Sequence, residues 1–111
     1  MNPVTFSALA EPNRFHIVEL LREKPRPVGE LVNTLHMGQP QVSKHLKVLA
    51  DAGIVKIHPV KNMRVYELSP KRFQEIDVWL EKYRELWNDR FDRLNTLLEK
   101  IQRKEKPERK T

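Results

Sequence analysis

The sequence predicts a mostly helical α+β domain with one small β-hairpin and a long final helix. Three observations lead to this prediction. Apolar residues recur at helical spacing in four short stretches before residue 52, and branched residues fill two neighbouring stretches between residues 54 and 68. A heptad pattern then runs from about residue 70 to about residue 103. With 3 glycines in 111 residues, irregular structure should be limited.

Three short helices are predicted before residue 36. Pro3 to Leu9 can form the first, and Pro12, whose fixed φ suits a first helical turn, begins a second that ends near Glu23. Apolar residues at helical spacing predict a third from about Pro27 to Leu35. The expected buried side of the second helix consists of Phe15, Val18, Leu20 and Leu21.

A fourth helix should begin near Gln39, after a turn at residues 36–38, and run to about Asp51. Gly38 can cap it or take a left-handed conformation, and proline at position 40 fits its first turn. Val42, Leu46 and Leu49 share one face, so this face should be buried. The opposite face carries polar and basic side chains.

Two strands should follow the fourth helix. Residues 54–60 are rich in branched side chains, and residues 64–68 alternate in the manner of a half-buried strand. Lys61 and Asn62 form the predicted tip, with Asn62 tolerating a positive φ. Because Met63 stands where a two-residue turn favours glycine, the sequence also allows a longer tip.

The last predicted helix has a wide apolar face. Leu80, Trp87, Leu94 and Ile101 repeat every seven residues, and a second heptad series is broken by Arg90. A domain this small has little core to cover such a face, so pairing with a second copy is expected. The predicted dimer interface comprises Phe6, Leu9, Ile76, Leu80, Tyr83, Trp87, Leu94, Leu97 and Ile101.

One domain is therefore expected over residues 1–103. It should contain a helix-and-hairpin unit at about 27–70 and a dimerisation helix at about 70–103. The charged stretch at residues 104–111, interrupted by a proline, is predicted to be a disordered tail.

Composition excludes several classes of function. With 0 cysteines the chain forms no disulfide, thiolate metal site or thiol redox switch. The opening MNPVTFSALAEPNR lacks a basic start and an apolar run, and no stretch approaches the length of a membrane span, so a cytoplasmic protein is expected.

The positive charge is concentrated in residues 39–72. Seven basic side chains stand there against two acidic ones, whereas the rest of the chain is nearly balanced, so this segment carries most of the net charge of +6. A stripe of one sign where a helix meets a hairpin is typical of a surface that binds the phosphate backbone of nucleic acid.

The candidate DNA contacts lie on the fourth helix and on the hairpin. Gln and Ser can bond base edges, and Lys and Arg can pair with phosphates. The alternative is a solvated helix face and a hairpin whose lysines only prevent edge-to-edge association. The predicted contacts are Gln39, Gln41, Ser43, Lys44, His45, Lys47, Lys61, Asn62 and Arg64.

Catalytic and metal-binding interpretations are weaker. Ser43 and His45 point about 200° apart on one helix, which does not suit a nucleophile and its base. His16 and His36 lack ligand partners at helical spacing, so no metal or other cofactor is predicted. The aromatic residues of the last helix can line an effector pocket, but interface core explains their spacing better.

The stretches ALAEPNRFHIVELL, GELVNTL, QPQVSKHLKVLADAGIV and RVYEL resemble the ArsR-type winged helix-turn-helix transcriptional regulators. The likeness covers roughly residues 3–70, and the later VWLEKYRELW is similar to a branch that ends in one long dimerisation helix. The resemblance implies a homodimer that binds double-stranded operator DNA, usually as a repressor, with the helix from Gln39 in the major groove and the hairpin as the wing.

The chain departs from the metal-sensing members of that family. Leu31-Val32-Asn33 stands where those members carry Cys-x-Cys, and residues 70–103 contain no His for the other familiar site. Two alternatives to the repressor stay open at this point. One is a protein-interaction module of the same fold, and the other is a regulator that senses an effector at its dimer interface.

Overall fold

In the computed structural model, residues 2–109 are described, and side chains are described for residues 2–103. The elements are α1 (Pro3–Ala10), α2 (Pro12–Glu23), β1 (Arg26–Pro27), α3 (Val28–Leu35), α4 (Gln39–Asp51), β2 (Val55–Val60), β3 (Met63–Leu68) and α5 (Pro70–Arg109). The predicted fold class is confirmed, and each of the five predicted helices is present and begins within about one residue of its predicted start.

Local capping explains where the first two helices begin. Asn2 accepts the backbone N–H of Val4 at 3.0 Å, and Glu11 accepts that of Arg14 at 2.9 Å. Each cap is followed by a proline at the first helical position. A proline there sacrifices no hydrogen bond, because the first N–H groups of a helix have no partner within it.

The core lies between α2, α3, α4 and the start of the sheet. Ile17, Leu31, Leu46 and Ile54 are completely buried. The expectation that Phe15 would be buried is wrong, since its side chain is exposed and Ile17 takes the inward position. Ile17 shares the inner face of α2 with Val18 and Leu21, whereas Phe15 lies about 200° from Ile17 around the helix.

A two-residue strand, β1, was not predicted. It joins β3 on the side opposite β2, so the sheet order is β1-β3-β2, with Arg26 opposite Tyr66 and Pro27 opposite Val65. Arg26 is buried and fully occupied: it donates to the Leu20 carbonyl at 3.0 Å, to Glu23 at 2.7 Å and to Glu30. Flanking prolines make this segment resemble a linker, and only the tertiary contacts reveal its pairing.

The hairpin tip is short. Val60 pairs with Met63, so only Lys61 and Asn62 form the loop. The positive φ of 56° belongs to Lys61 and not to Asn62. The longer tip that the sequence allowed is therefore absent, and the strain of a left-handed residue falls on Lys61.

The turn before α4 also relies on a non-glycine residue. His36 closes α3 with a left-handed backbone (φ 56°), and its N–H bonds the Val32 carbonyl at 3.0 Å. Gly38 has φ −65° and is the N-cap of α4, which is one of the two roles expected of it. Residues 36–38 therefore form the short turn that joins α3 to α4, as in a helix-turn-helix motif.

The chain divides into two compact units, one up to Ile76 and one from Asp77 onward, and α5 continues from the first into the second. The prediction of a single domain over residues 1–103 stays a prediction. The helix continues to Arg109, past the expected end at residue 103; of the predicted tail, residues 110 and 111 lie outside the described residues. No described helix has the length and apolar character to cross a bilayer.

The loop after α4 depends on one glycine. Gly53 has φ +76°, and a Cβ added there would lie 2.7 Å from Nε of Arg72. That guanidinium donates to the Ala52 carbonyl at 3.0 Å and pairs with Glu75 at 2.9 Å. Glycine at position 53 therefore lets the start of α5 close over the end of α4.

Gly53→Ala should lower the free energy of unfolding by roughly 1–3 kcal/mol, because alanine is strained at this φ and displaces the Arg72 guanidinium. Urea unfolding at a fixed protomer concentration measures it. The control is Gly29→Ala in α3, where an added Cβ meets nothing within 4 Å. Alanine there should be neutral or stabilise by up to about 1 kcal/mol; equal losses in both variants would contradict the explanation.

Candidate nucleic-acid interface

One face of α4 is anchored and the other is open. Val42, Leu46 and Leu49 are completely buried. Gln41 and Lys44 lie on the opposite, exposed face, and Ser43 and Lys47 are exposed beside them. Because the inner face is fixed by core packing, the positions on α4 from which these side chains project are fixed too.

An open groove of about 490 Å³ lies beside the N-terminus of α4. It is bounded by Gln39 and Ser43 of α4 and by Asn62 and Arg64 of the hairpin. Four residues predicted from sequence as DNA contacts therefore meet in one concavity. The groove is also lined by residues that were not among the predicted contacts, namely Pro27, Val28, Gly29, Met63 and Tyr66.

The pairing of β1 with β3 brings some of these additional residues to the groove. Pairing of Pro27 with Val65 brings the start of α3 against the hairpin, and Tyr66 lies buried opposite Arg26. Tyr66 was recognisable as the inward residue of an alternating strand. Nothing local in the sequence indicates that Pro27 and Gly29 border a groove.

The cations of this surface differ in how they are neutralised. Among the described residues, Lys44, Lys47, Lys61 and Arg64 form no ion pair within 4.0 Å. By contrast, Arg72 is held by Glu75 as described above. The side chains on α4 and at the hairpin therefore project a positive field that the protein itself does not compensate.

Glu67 reduces the charge on the other part of the hairpin. It accepts from the ring of His58 at 3.0 Å and lies opposite Lys56 in the strand pairing. Among the hairpin cations, Lys56 thus has a carboxylate opposite it in the strand pairing, whereas Arg64 lies opposite Pro59 and Lys61 lies at the tip.

His45 lies in a different environment from its neighbours on α4. Its side chain is 19% exposed, and Nδ1 lies 3.7 Å from Oε2 of Glu11 and 3.5 Å from Nη1 of Arg14. Arg14 also donates to the Ala8 carbonyl at 2.6 Å. His45 therefore links α4 to the junction between α1 and α2, and its predicted DNA contact stays a prediction.

The carboxylate of Glu11 joins this junction. Its removal from water raises the pKa, but the hydrogen bond from the Arg14 backbone and the nearby His45 ring lower it, and the net pKa lies below the ordinary value of 4.5. Asn13 also donates to it at 3.2 Å. The charged form of Glu11 is therefore the one that caps α2.

The predicted dimer residues differ in exposure. Leu9 is partly buried against the core of its own chain, and Ile76 and Leu80 are half-buried. Phe6 is exposed. Every side chain from residue 81 to residue 103 is exposed, including the apolar Tyr83, Trp87, Leu94, Leu97 and Ile101. Within its own chain this stretch of α5 has an uncovered apolar face.

No group of three or more His, Cys, Asp or Glu side chains among the described residues is arranged to hold a metal ion. His16 and His36 are both exposed.

Comparison with known proteins gives consistent results. The model of the family "Bacterial regulatory protein, arsR family" matches residues 11–56. The HTH-type transcriptional regulator Rv2034 of Mycobacterium tuberculosis is 40% identical over 78 residues, which cover 70% of this chain and 73% of that protein. The HTH-type transcriptional repressor SmtB of the same organism is 58% identical over 48 residues, 43% of this chain and 36% of the repressor.

A solved structure shares the architecture. The crystal structure of the ArsR family transcriptional regulator RHA00566 superposes with a TM-score of 0.69 at 30% sequence identity, covering 77% of this chain and 93% of that one. The match of fold, sequence and family model agrees with the resemblance found in the sequence.

The lowered pKa of Glu11 predicts a pH-dependent contribution to stability. A carboxylate whose folded pKa is depressed stabilises fully above its unfolded pKa and loses this effect as pH falls through its folded pKa. Glu11→Gln should therefore lower the free energy of unfolding at pH 7 by about 0.5–2 kcal/mol, and by less near pH 3.

Urea unfolding of Glu11→Gln at the two pH values measures the difference. The control is Glu11→Asp, which keeps a carboxylate at the cap and should keep the pH dependence of the native protein. A Glu11→Gln deficit of the same size at both pH values would show that the charge of Glu11 has no part in the capping.

Proposed function

We propose that this chain, which belongs to the ArsR family of bacterial regulatory proteins, binds operator DNA as a homodimeric repressor in the cytoplasm. The family consists of transcriptional regulators and not of enzymes, and the chain has its winged helix-turn-helix fold. The observation that carries the proposal is the uncompensated positive surface of α4 and the hairpin tip, joined by the groove.

Base reading is assigned to the exposed face of α4. An α-helix fits the major groove of B-form DNA, and amide and hydroxyl side chains can bond base edges there. Gln41 and Ser43 are exposed on the first two turns of α4, where a recognition helix approaches the bases. Lys44 and Lys47, which lack intramolecular counterions, are suited to the flanking phosphates.

The wing is assigned to the DNA backbone beside the same site. Lys61 and Asn62 form the tip, and Arg64 borders the groove with Gln39. An arginine in this position can pair with phosphate or enter a narrow minor groove. Because α4 and the wing border the same groove, we expect both to contact one stretch of duplex.

Homodimerisation is supported by the uncovered face of α5. Trp87, Leu94 and Ile101 are each nearly half exposed. A second copy can bury this face by symmetry. The dimer then places two copies of α4 and the hairpin on one duplex, with half-sites about one helical turn apart or a multiple of it. Phe6, exposed on α1, is proposed as a further contact.

A protein-interaction module with incidental DNA contact is the main alternative. It would have no need for four unpaired cations on one surface, so their arrangement favours DNA. An effector at the dimer interface would share the DNA function and alter only its control.

Selection of bound sequences from a random duplex pool tests the function as a whole. The expected result is an inverted repeat, since two-fold protein symmetry is mirrored in the site. Sequences without symmetry would argue against the homodimer, and no enrichment together with binding unaffected by salt would argue against the DNA function.

Two variants separate phosphate contacts from base contacts. Lys44→Ala should weaken binding to all sequences and reduce the slope of log affinity against log salt by about 1 for each bound protomer. Gln41→Ala should change base preference, at a cost of about 1–3 kcal/mol for the preferred base pair, with little change of slope.

Fluorescence anisotropy titrations at several salt concentrations measure both effects. Lys82→Ala, at an exposed position on α5, is the matched control and should leave slope and preference unchanged. Equal slope changes for Lys44→Ala and Lys82→Ala would remove Lys44 from the DNA-binding surface.

A further inference from the structure

Arg90 interrupts the apolar face of α5. At about 100° per residue, Tyr83, Trp87, Leu94 and Leu97 fall within an arc of about 80°, and Arg90 lies inside the same arc. Among the described side chains of residues 77–103, no other charged residue falls within this arc. A cation at the centre of an interface must be accounted for, because burying it without a partner is costly.

The helix itself provides no acidic partner for Arg90. The residues three and four positions away are Leu86, Trp87, Arg93 and Leu94. No ion pair of Arg90 occurs among the described residues. Arg84 on the same helix contrasts with it, since Arg84 is bonded to Asp77 and to Glu81, each at 2.8 Å.

The direction of pairing decides what Arg90 meets. The heptad positions form two series, one of Leu80, Trp87, Leu94 and Ile101 and the other of Tyr83, Arg90 and Leu97. In a parallel in-register pair each series faces itself, so Arg90 would face the partner's Arg90. In an antiparallel pair the two series face each other, so Arg90 meets a member of the first series.

We propose that α5 pairs with the α5 of a second copy in an antiparallel direction, in the register that places Arg90 against the partner's Trp87. Trp87 is the aromatic member of the first series, and a guanidinium over an indole face is a favourable cation–π contact. Shifts of one heptad would set Arg90 against the aliphatic Leu80 or Leu94. The inference rests on the homodimer of the proposed function and specifies its interface.

The same register also places apolar residues opposite one another in the heptad layers next to Arg90 and Trp87. Tyr83 lies opposite the partner's Leu94, and Leu80 lies opposite the partner's Leu97. At the flanks, Arg93 lies beside the partner's Leu86 and Arg84 beside the partner's Phe91, so no like charges face one another. Each Arg90 and Trp87 pair occurs twice about the two-fold axis, which makes Arg90 the residue that selects direction and register.

Disulfide trapping of the full chain tests the register, because the native protein has 0 cysteines. Tyr83→Cys and Leu94→Cys proteins, one carrying a size tag, are mixed and oxidised. The antiparallel register predicts a disulfide between the two variants and little crosslinking of either alone. Tyr83→Cys mixed with Ile101→Cys is the control for a shifted register and should not crosslink.

Self-crosslinking of each single variant would overturn the inference in favour of parallel pairing. Crosslinking of the shifted pair would overturn the register, and so would the absence of all crosslinks in a protein that sediments as a dimer. A protein that sediments as a monomer would remove the homodimer as well.

A second measurement tests Arg90 itself. Arg90→Leu removes the reason to avoid the parallel pair, so Leu94→Cys combined with Arg90→Leu should begin to self-crosslink. Trp87→Leu should weaken the dimer on the order of tenfold by sedimentation, since two cation–π contacts are lost. Unchanged crosslinking in Arg90→Leu would mean that Arg90 does not select direction.

DNA titration of the native protein distinguishes failure of the α5 register from failure of the proposed DNA function. If symmetric, salt-dependent DNA binding persists while the crosslinks contradict the register, only the interface inference fails. If the native dimer neither binds duplex nor responds to salt, the proposed DNA function fails while the register can still stand.

Discussion

The burial of one face of α4 is the constraint on which the rest of the structure depends. Val42, Leu46 and Leu49 have no exposed surface, and the fully buried Ile17, Leu31 and Ile54 share their core. Rotating α4 about its axis would expose apolar surface and bury lysine. Loss of this packing would cost several kcal/mol. The outward direction of Gln41, Lys44 and Lys47 is thus a consequence of the core and needs no separate stabilisation.

Polar links complete the positioning where apolar packing leaves freedom. Arg26 bridges α2, β1 and α3 through a carbonyl and two carboxylates, and it holds the short third strand beside the hairpin. His45 and Arg14 connect α4 to the junction of α1 and α2. The buried Arg26 is paired with two carboxylates, because burying an unpaired charge is costly. Through β1, the Arg26 contacts help to hold the start of α3 beside the hairpin, where Pro27 borders the groove.

In contrast to α4, whose apolar face is buried, α5 has an exposed apolar face over residues 81–103. Many side chains of residues 81–103 are apolar, yet all of them are exposed, so no described part of the single chain buries this face. The exposed face of α4 and the hairpin tip carry cations without ion-pair partners among the described residues, and residues 81–103 of α5 carry exposed apolar side chains. The first calls for a polyanion and the second for another apolar surface. The dimer on DNA that we propose would satisfy both requirements at once.

Periodicity and residue type by themselves determined the helices, the hairpin, the buried stripe of α4 and the concentration of charge, because these are local properties of the chain. Tertiary structure decided what local rules do not reach: the burial of Ile17 in place of Phe15, the two-residue turn with Lys61 left-handed, and the pairing of Pro27 with Val65. It also decided that His45 faces Glu11 while Lys44 remains open to solvent. Such outcomes depend on contacts between residues distant in sequence, and the free energy of those contacts outweighs local preference.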